Sequence, residues 1–241
     1  MTVDFPLHPN LQVSPREPHL GLEYVRAVRA AAASWEGRGE AAGTNNRGAD
    51  IDELLAIAGV GQRDEDGHSL GGAWCGVGAS AMLALGAHAM GWSRPPMELH
   101  AGAKKLARNV GEWGRYVVAP RGWTLLGGGT YRGELDAELM AVALAGAWHR
   151  GTTRERAWQG HVEIVLFYAA QPVVHPVYGP LPADTLVTWA PNVVPSGRSR
   201  EHVIATTGVT PAPGQALAHV RYHESGSWRW RLYAIAAAPA P

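Results

Sequence analysis

The hydrophobic pattern of this chain changes character near its middle. In the first half, apolar residues recur at three- and four-residue steps. Leu22, Val25, Val28 and Ala32, with Arg26 and Arg29 on the other side, predict a helix over residues 21–35. Ile51, Leu54, Leu55 and Ala58 predict a second at 50–58, stopped by Gly59. A run of small and apolar residues follows the turn Gly71-Gly72 and predicts a buried helix from Cys75 to about Met90. A fourth helix is expected over 97–110, with one partly basic face. Residues 135–149 read as another, through Leu135, Leu139, Val142, Leu144 and Ala145. The remaining elements are strands. Residues 116–118 form a short one, and 160–168 is the best in the chain by its branched and aromatic content. Others are expected at 186–189, 202–206, 217–222 and 228–235. Helices gathered ahead of strands argue for an α+β fold with a mainly antiparallel sheet.

No repeat and no convincing linker divides the chain. Residues 1–20, proline-rich and without period, read as an extended arm, and residues 21–241 as a single domain. Two polar loops interrupt the helical half. One, at 36–47, contains Glu40 and the pair Asn45-Asn46; the other, at 61–72, contains Asp64, Glu65, Asp66 and His68. Acids ahead of a glycine resemble a calcium loop, but the closing bidentate glutamate is missing, so no metal is expected.

Composition narrows the partners. The chain has 241 residues, 46% of them hydrophobic, which is enough apolar material for a sizeable core. Lysine plus arginine and aspartate plus glutamate stand at 21 each, so no bulk charge draws the chain to nucleic acid or an anionic membrane. A single cysteine excludes an internal disulfide and a multi-cysteine metal site. No run of about 18 apolar residues predicts a membrane span. The first residues lack the basic start and apolar core of a secretory signal, so synthesis in the cytoplasm is expected, with some other route to any site of action elsewhere. Ten tryptophans against two phenylalanines is an unusual ratio. Most suit core or rim packing, and some suit stacking on a sugar ring.

The chemistry centres on Cys75. At the first turn of a helix, unpaired backbone N–H groups and the positive end of the dipole stabilise a thiolate. A thiol so placed ionises below its usual pKa of roughly 8.5 and becomes a nucleophile. The alternative is a small buried hydrophobe, the common state of a free cysteine. A nucleophile needs a base, and the base needs an orienting group. Among eleven histidines, His161 stands out because it opens the strongest strand directly after a glycine. Asn192, after the next strand, would lie beside it and could accept the imidazole N–H. Read without context, His161 is a core or surface histidine and Asn192 a turn residue.

The segment Gly71-Gly72-Ala73-Trp74-Cys75-Gly76 is similar to the Gly-x-Pro-Trp-Cys-Ala segment of CHAP amidases and related phage lysins, which belong to the papain-like superfamily. Gly160-His161-Val162-Glu163-Ile164-Val165 resembles their Gly-His-Val-Gly-Ile-Val strand. Upstream, Gly39-Glu40 and the stretch from Asn45 to Leu55 resemble the segment that precedes the cysteine in many members. The resemblance implies a papain-like (CHAP/NlpC-type) fold, with the nucleophile helix packed on an antiparallel sheet. It implies a cysteine amidase or endopeptidase without cofactor, whose partner is bacterial peptidoglycan. Cys75 would be the nucleophile, His161 its base and Asn192 the orienter, with Trp74 and Glu40 on the substrate. Delivery to the wall by a holin or a virion would follow. Three departures stand out. Ala73 replaces a proline and Glu163 a glycine, and an insertion at about 123–159, including the 135–149 helix, precedes His161 and could form a lid or a specificity element. His149 and His175 are the alternative bases. Two further functions fit the same residues. One is a phage virion or tail protein with a degenerate papain-like site; the other is a cysteine amidohydrolase or transferase acting off the wall.

Overall fold

The computed structural model describes residues 18–41, 44, 46–118, 140–150, 160–176, 179–181, 183, 185–193, 203–205, 215–222 and 230–239. Helices α1 (Pro18–Ser34), α2 (Ala49–Ala58), α3 (Cys75–Ala89) and α4 (Ala103–Trp113) come first. Strands β1 (Arg115–Val118), β2 (Ala143–Arg150), β3 (Gly160–Ala169), β4 (Val173–His175) and β5 (Gly179–Leu181) follow. The chain continues with β6 (Thr185–Val193), β7 (Val203–Ala205), β8 (Gln215–Tyr222) and β9 (Trp230–Ala237). Seven strands form one sheet in the order β1-β9-β2-β3-β6-β8-β7, while β4 and β5 pair separately. Every pairing is antiparallel. The fold is therefore α+β with an antiparallel sheet, as the pattern predicts. The N-terminal arm lies outside the described residues up to position 17, and the last three of its positions, 18–20, are the first turn of α1.

Helix α3 is the centre of the molecule. Its residues from Cys75 to Leu83 are all buried, so it shows no polar face. Large side chains enclosed in this way, such as Met82 and Leu83, each contribute about 1.5–3 kcal/mol. Helix α1 crosses it, and the Tyr24 hydroxyl donates to the Leu83 carbonyl at 2.8 Å. Helix α2 flanks it, ending at Gly59 in a left-handed cap. Strands β3 and β6 lie against it. Small residues permit these approaches. A Cβ on Gly78 would stand 2.8 Å from the Pro191 ring of β6. One on Gly76 would stand 1.9 Å from the Ala101 carbonyl oxygen.

Several expectations are corrected. Residues 143–150 are not helix but strand β2, hydrogen-bonded between β3 and β9. The alanines of this segment favour a helix intrinsically. Ala143, Leu144, Ala145 and Ala147 are all fully buried, so both faces of the strand are covered. With both faces apolar, no alternation is written into the sequence. β2 falls within the stretch 123–159 expected as an insertion and is part of the central sheet, while residues 119–139 and 151–159 lie outside the described ones. Helix α4 begins at Ala103 rather than near Met97. Tertiary bonds hold the preceding stretch: Ser80 Oγ donates to the His100 carbonyl at 3.1 Å and accepts its N–H at 3.2 Å. The pattern does not predict the hairpin β4–β5.

Arg29 is also corrected. The helical period puts it on the polar side of α1 with Arg26, but only Arg26 is exposed. Arg29 Nε donates to the Val165 carbonyl at 3.0 Å, and its Nη2 to those of Met140 and Ala143 at 3.3 and 3.1 Å. Burial lowers its pKa to about 10, which leaves it charged at neutral pH. Hydrogen bonds from a charged donor, worth roughly 1.5–3 kcal/mol each, offset the loss of solvent.

The packing of α3 yields a test. Gly76→Ala is expected to lower stability by about 3 kcal/mol or more, because backbone blocks the new methyl. Gly72→Ala, with nothing within 4 Å of its Cβ, should leave the unfolding midpoint unchanged. Equal midpoints for the two variants would refute the close approach.

Candidate active site

The turn into α3 is pinned by a chain of side chains from three elements. Asp52 of α2 accepts the Ser69 N–H at 2.7 Å and faces His68 Nδ1 at 2.9 Å. Ser69 Oγ donates to the Asn46 carbonyl at 2.8 Å and accepts the Gly71 N–H at 3.1 Å. Asn46 Nδ2 then donates to the Gly71 carbonyl, also at 3.1 Å. Three residues on, the Trp74 indole N–H donates to Glu40 Oε1 at 3.0 Å. These bonds tie down the residues ahead of Cys75, several of them at the backbone of Asn46, Ser69 and Gly71. The cysteine is thereby fixed at the first position of α3, where the sequence places it.

Opposite it, Gly160 starts β3 and His161 follows. The Cys75 thiol and the His161 ring lie close enough for each to shift the pKa of the other. Burial alone pushes the thiol pKa up. The bond to His161 and its charge, together with the N–H groups of Val162 and Gly76, outweigh that and lower it. For His161 burial acts downward. Bonds and charge from Cys75 and Glu163 overcome it and raise the pKa to about 9. Both shifts favour the same state, a thiolate beside an imidazolium. Such a pair is the arrangement a cysteine nucleophile needs.

The other expected residues stand elsewhere. Asn192 does not meet His161: its Nδ2 donates to Asn46 Oδ1 at 3.1 Å. It sits at φ 57 in the irregular register between Ala190 and Val193, and this bulge turns the amide toward the Cys75 turn. Asn46, its partner, has the same φ of 57. Trp74 is 1% exposed, so it offers no face to a substrate. It is a core residue that holds Glu40, itself only half-buried. His149 lies opposite Gly160 on β2, and the His175 ring packs 4.9 Å from that of Phe167. The side chain of His149 lies outside the described ones, and His175 has no described contact with Cys75.

The residue that does meet the histidine is Glu163. His161 Nε2 lies 3.2 Å from its Oε1, off the line of an aligned hydrogen bond. Its other oxygen accepts the Thr188 hydroxyl of β6 at 2.7 Å. The signal was in the sequence, since Glu163 shares a strand face with His161 at a spacing of two. Among the described residues, no group of three or more metal-ligating side chains forms a metal site, and no helix is long and apolar enough to cross a membrane.

No family model, no curated protein and no solved structure matches the chain.

The pair makes a prediction with a defined sign. His161 carries its proton to about pH 9, so the stability it contributes is complete below its ordinary pKa of roughly 6.5. That stability is lost as the pH rises through about 9. Iodoacetamide is expected to alkylate Cys75 steadily across neutral pH. In His161→Gln the rise in rate should move up toward the ordinary thiol pKa of roughly 8.5 or beyond, because only the N–H groups of Val162 and Gly76 then oppose burial. Identical pH profiles for the two proteins would contradict the pairing.

Proposed function

We propose that the chain is a papain-like cysteine amidohydrolase that cleaves an amide bond of bacterial peptidoglycan. The observation that carries the chemistry is the proximity of His161 to Cys75 at the start of a buried helix, where each favours the charged form of the other. The wall as substrate is supported by the resemblance of residues 71–76 and 160–165 to CHAP amidases. In this reading the Cys75 thiolate attacks the amide carbon and forms a tetrahedral oxyanion. First-turn N–H groups of α3 have no partner within the helix, and that of Cys75 supplies one donor to the oxyanion. The His161 imidazolium gives its proton to the departing amine, and the C–N bond breaks to leave a thioester. His161, now neutral, takes a proton from water, whose oxygen attacks the thioester carbon. The carboxylic acid leaves and the thiolate returns.

Cys75 is only 8% exposed, and its histidine 3%. Access is therefore narrow, and a slender, extended peptide end fits it better than a folded protein surface. The same burial favours a second reading, a structural protein of a phage virion or tail whose papain-like site is no longer used.

Turbidity of purified cell walls separates the two. Wild type is expected to clear the walls with release of new amines, and Cys75→Ala to lose at least about a thousandfold, on the scale seen when a nucleophile is removed. Walls that stay turbid with wild type, together with a Cys75 that iodoacetamide does not alkylate, would leave the structural reading. Released sugar ends in place of amines would refute amide cleavage.

A further inference from the structure

Glu163 is a carboxylate with no exposed surface. Taking such a group out of water costs several kcal/mol unless charge and hydrogen bonds compensate. Both of its oxygens have a described neighbour, one the His161 ring and the other the Thr188 hydroxyl. We propose that Glu163 is the positioning residue of the site. Anchored by Thr188, it holds the His161 ring against Cys75, the part expected of Asn192. This rests on the reading of Cys75 as a nucleophile, not on the identity of the substrate.

The geometry favours Glu163 over any loop residue for this part. It follows His161 by two positions on one strand, so both side chains leave the same face of a rigid ladder. β3 is hydrogen-bonded to β2 at Glu163 and to β6 from Ile164 onward. Asn192, in contrast, stands in a bulge and spends its described bond on Asn46. Among the described residues, the charged groups recorded against the imidazole are Cys75, from α3, and Glu163, from its own strand. They sit on it as anions when ionised, so the ring is held in its protonated form between them. A positioning carboxylate of this kind makes the ion pair the resting state. Without it, the same two residues would rest as neutral thiol and neutral imidazole.

Three variants test this by alkylation with iodoacetamide across pH 5–10, with no wall substrate present. In Glu163→Gln the charge is gone and the shape kept. Its rate at pH 7 is expected to fall about tenfold, with the rise displaced toward the ordinary thiol pKa of roughly 8.5. Proton NMR of the His161 ring should show its titration moving down from about 9. Thr188→Val should give the same displacement in smaller measure, and Thr188→Ser, which keeps the hydroxyl, should restore the wild-type profile. Circular dichroism checks that each variant is folded. If Glu163→Gln fails to fold, the two Thr188 variants decide. An unchanged profile, or one in which Glu163→Gln or Thr188→Val reacts faster at pH 7, would overturn the proposal. Walls left intact by a wild type whose profile does respond to Glu163 would sink the substrate and leave this inference standing.

Discussion

The contact between the start of α3 and the backbone around it constrains everything else. At Gly76 the Ala101 carbonyl fills the space a side chain would need, and at Gly78 the Pro191 ring does. These two contacts press the helix against the 98–102 segment on one side and β6 on the other. The position of the sulfur is thus set by backbone rather than by adaptable side chains. Close packing of this kind has little freedom to relax, which is what a two-residue site needs from its scaffold.

Much of this was legible from residues alone. α1 and α2 follow from apolar steps of three and four, because each covers the core with one face. α3 was legible for a different reason: Gly71-Gly72 marks its start, and its small residues announce close neighbours on every side. β3 was readable from its branched and aromatic residues. β2 was not, since a strand buried on both faces loses the alternation that betrays a strand, and alanine then suggests a helix. The pairing of Cys75 with His161 could be anticipated from one helix start and one strand start. The fate of Asn192 could not, because it depends on a left-handed residue in a bulge, a feature that asparagine permits without requiring. Trp74 misled for a related reason. Its place beside the cysteine suggests contact with a substrate, whereas its indole is the anchor that fastens Glu40.

β3 carries an unusual electrical load for a central strand. His161 and Glu163 are buried side chains on it, and Arg29 reaches across from α1 to its carbonyl at Val165. The arginine meets carbonyl groups and the glutamate meets a ring and a hydroxyl, so each charge is satisfied in its own way. Buried polar groups of this kind add little net stability, but each arrangement tolerates few alternatives. Such a strand cannot slip its register by one residue without stranding His161 and Glu163 on the wrong face.

The depth of the single cysteine has a consequence for its redox chemistry. A disulfide needs two sulfurs about 2.05 Å apart and the two Cβ atoms within about 4.5 Å. A sulfur on a residue 8% exposed, at the foot of a helix, cannot offer that approach to a second folded chain. In an oxidising medium the thiol is therefore guarded against cross-linking by bulk alone.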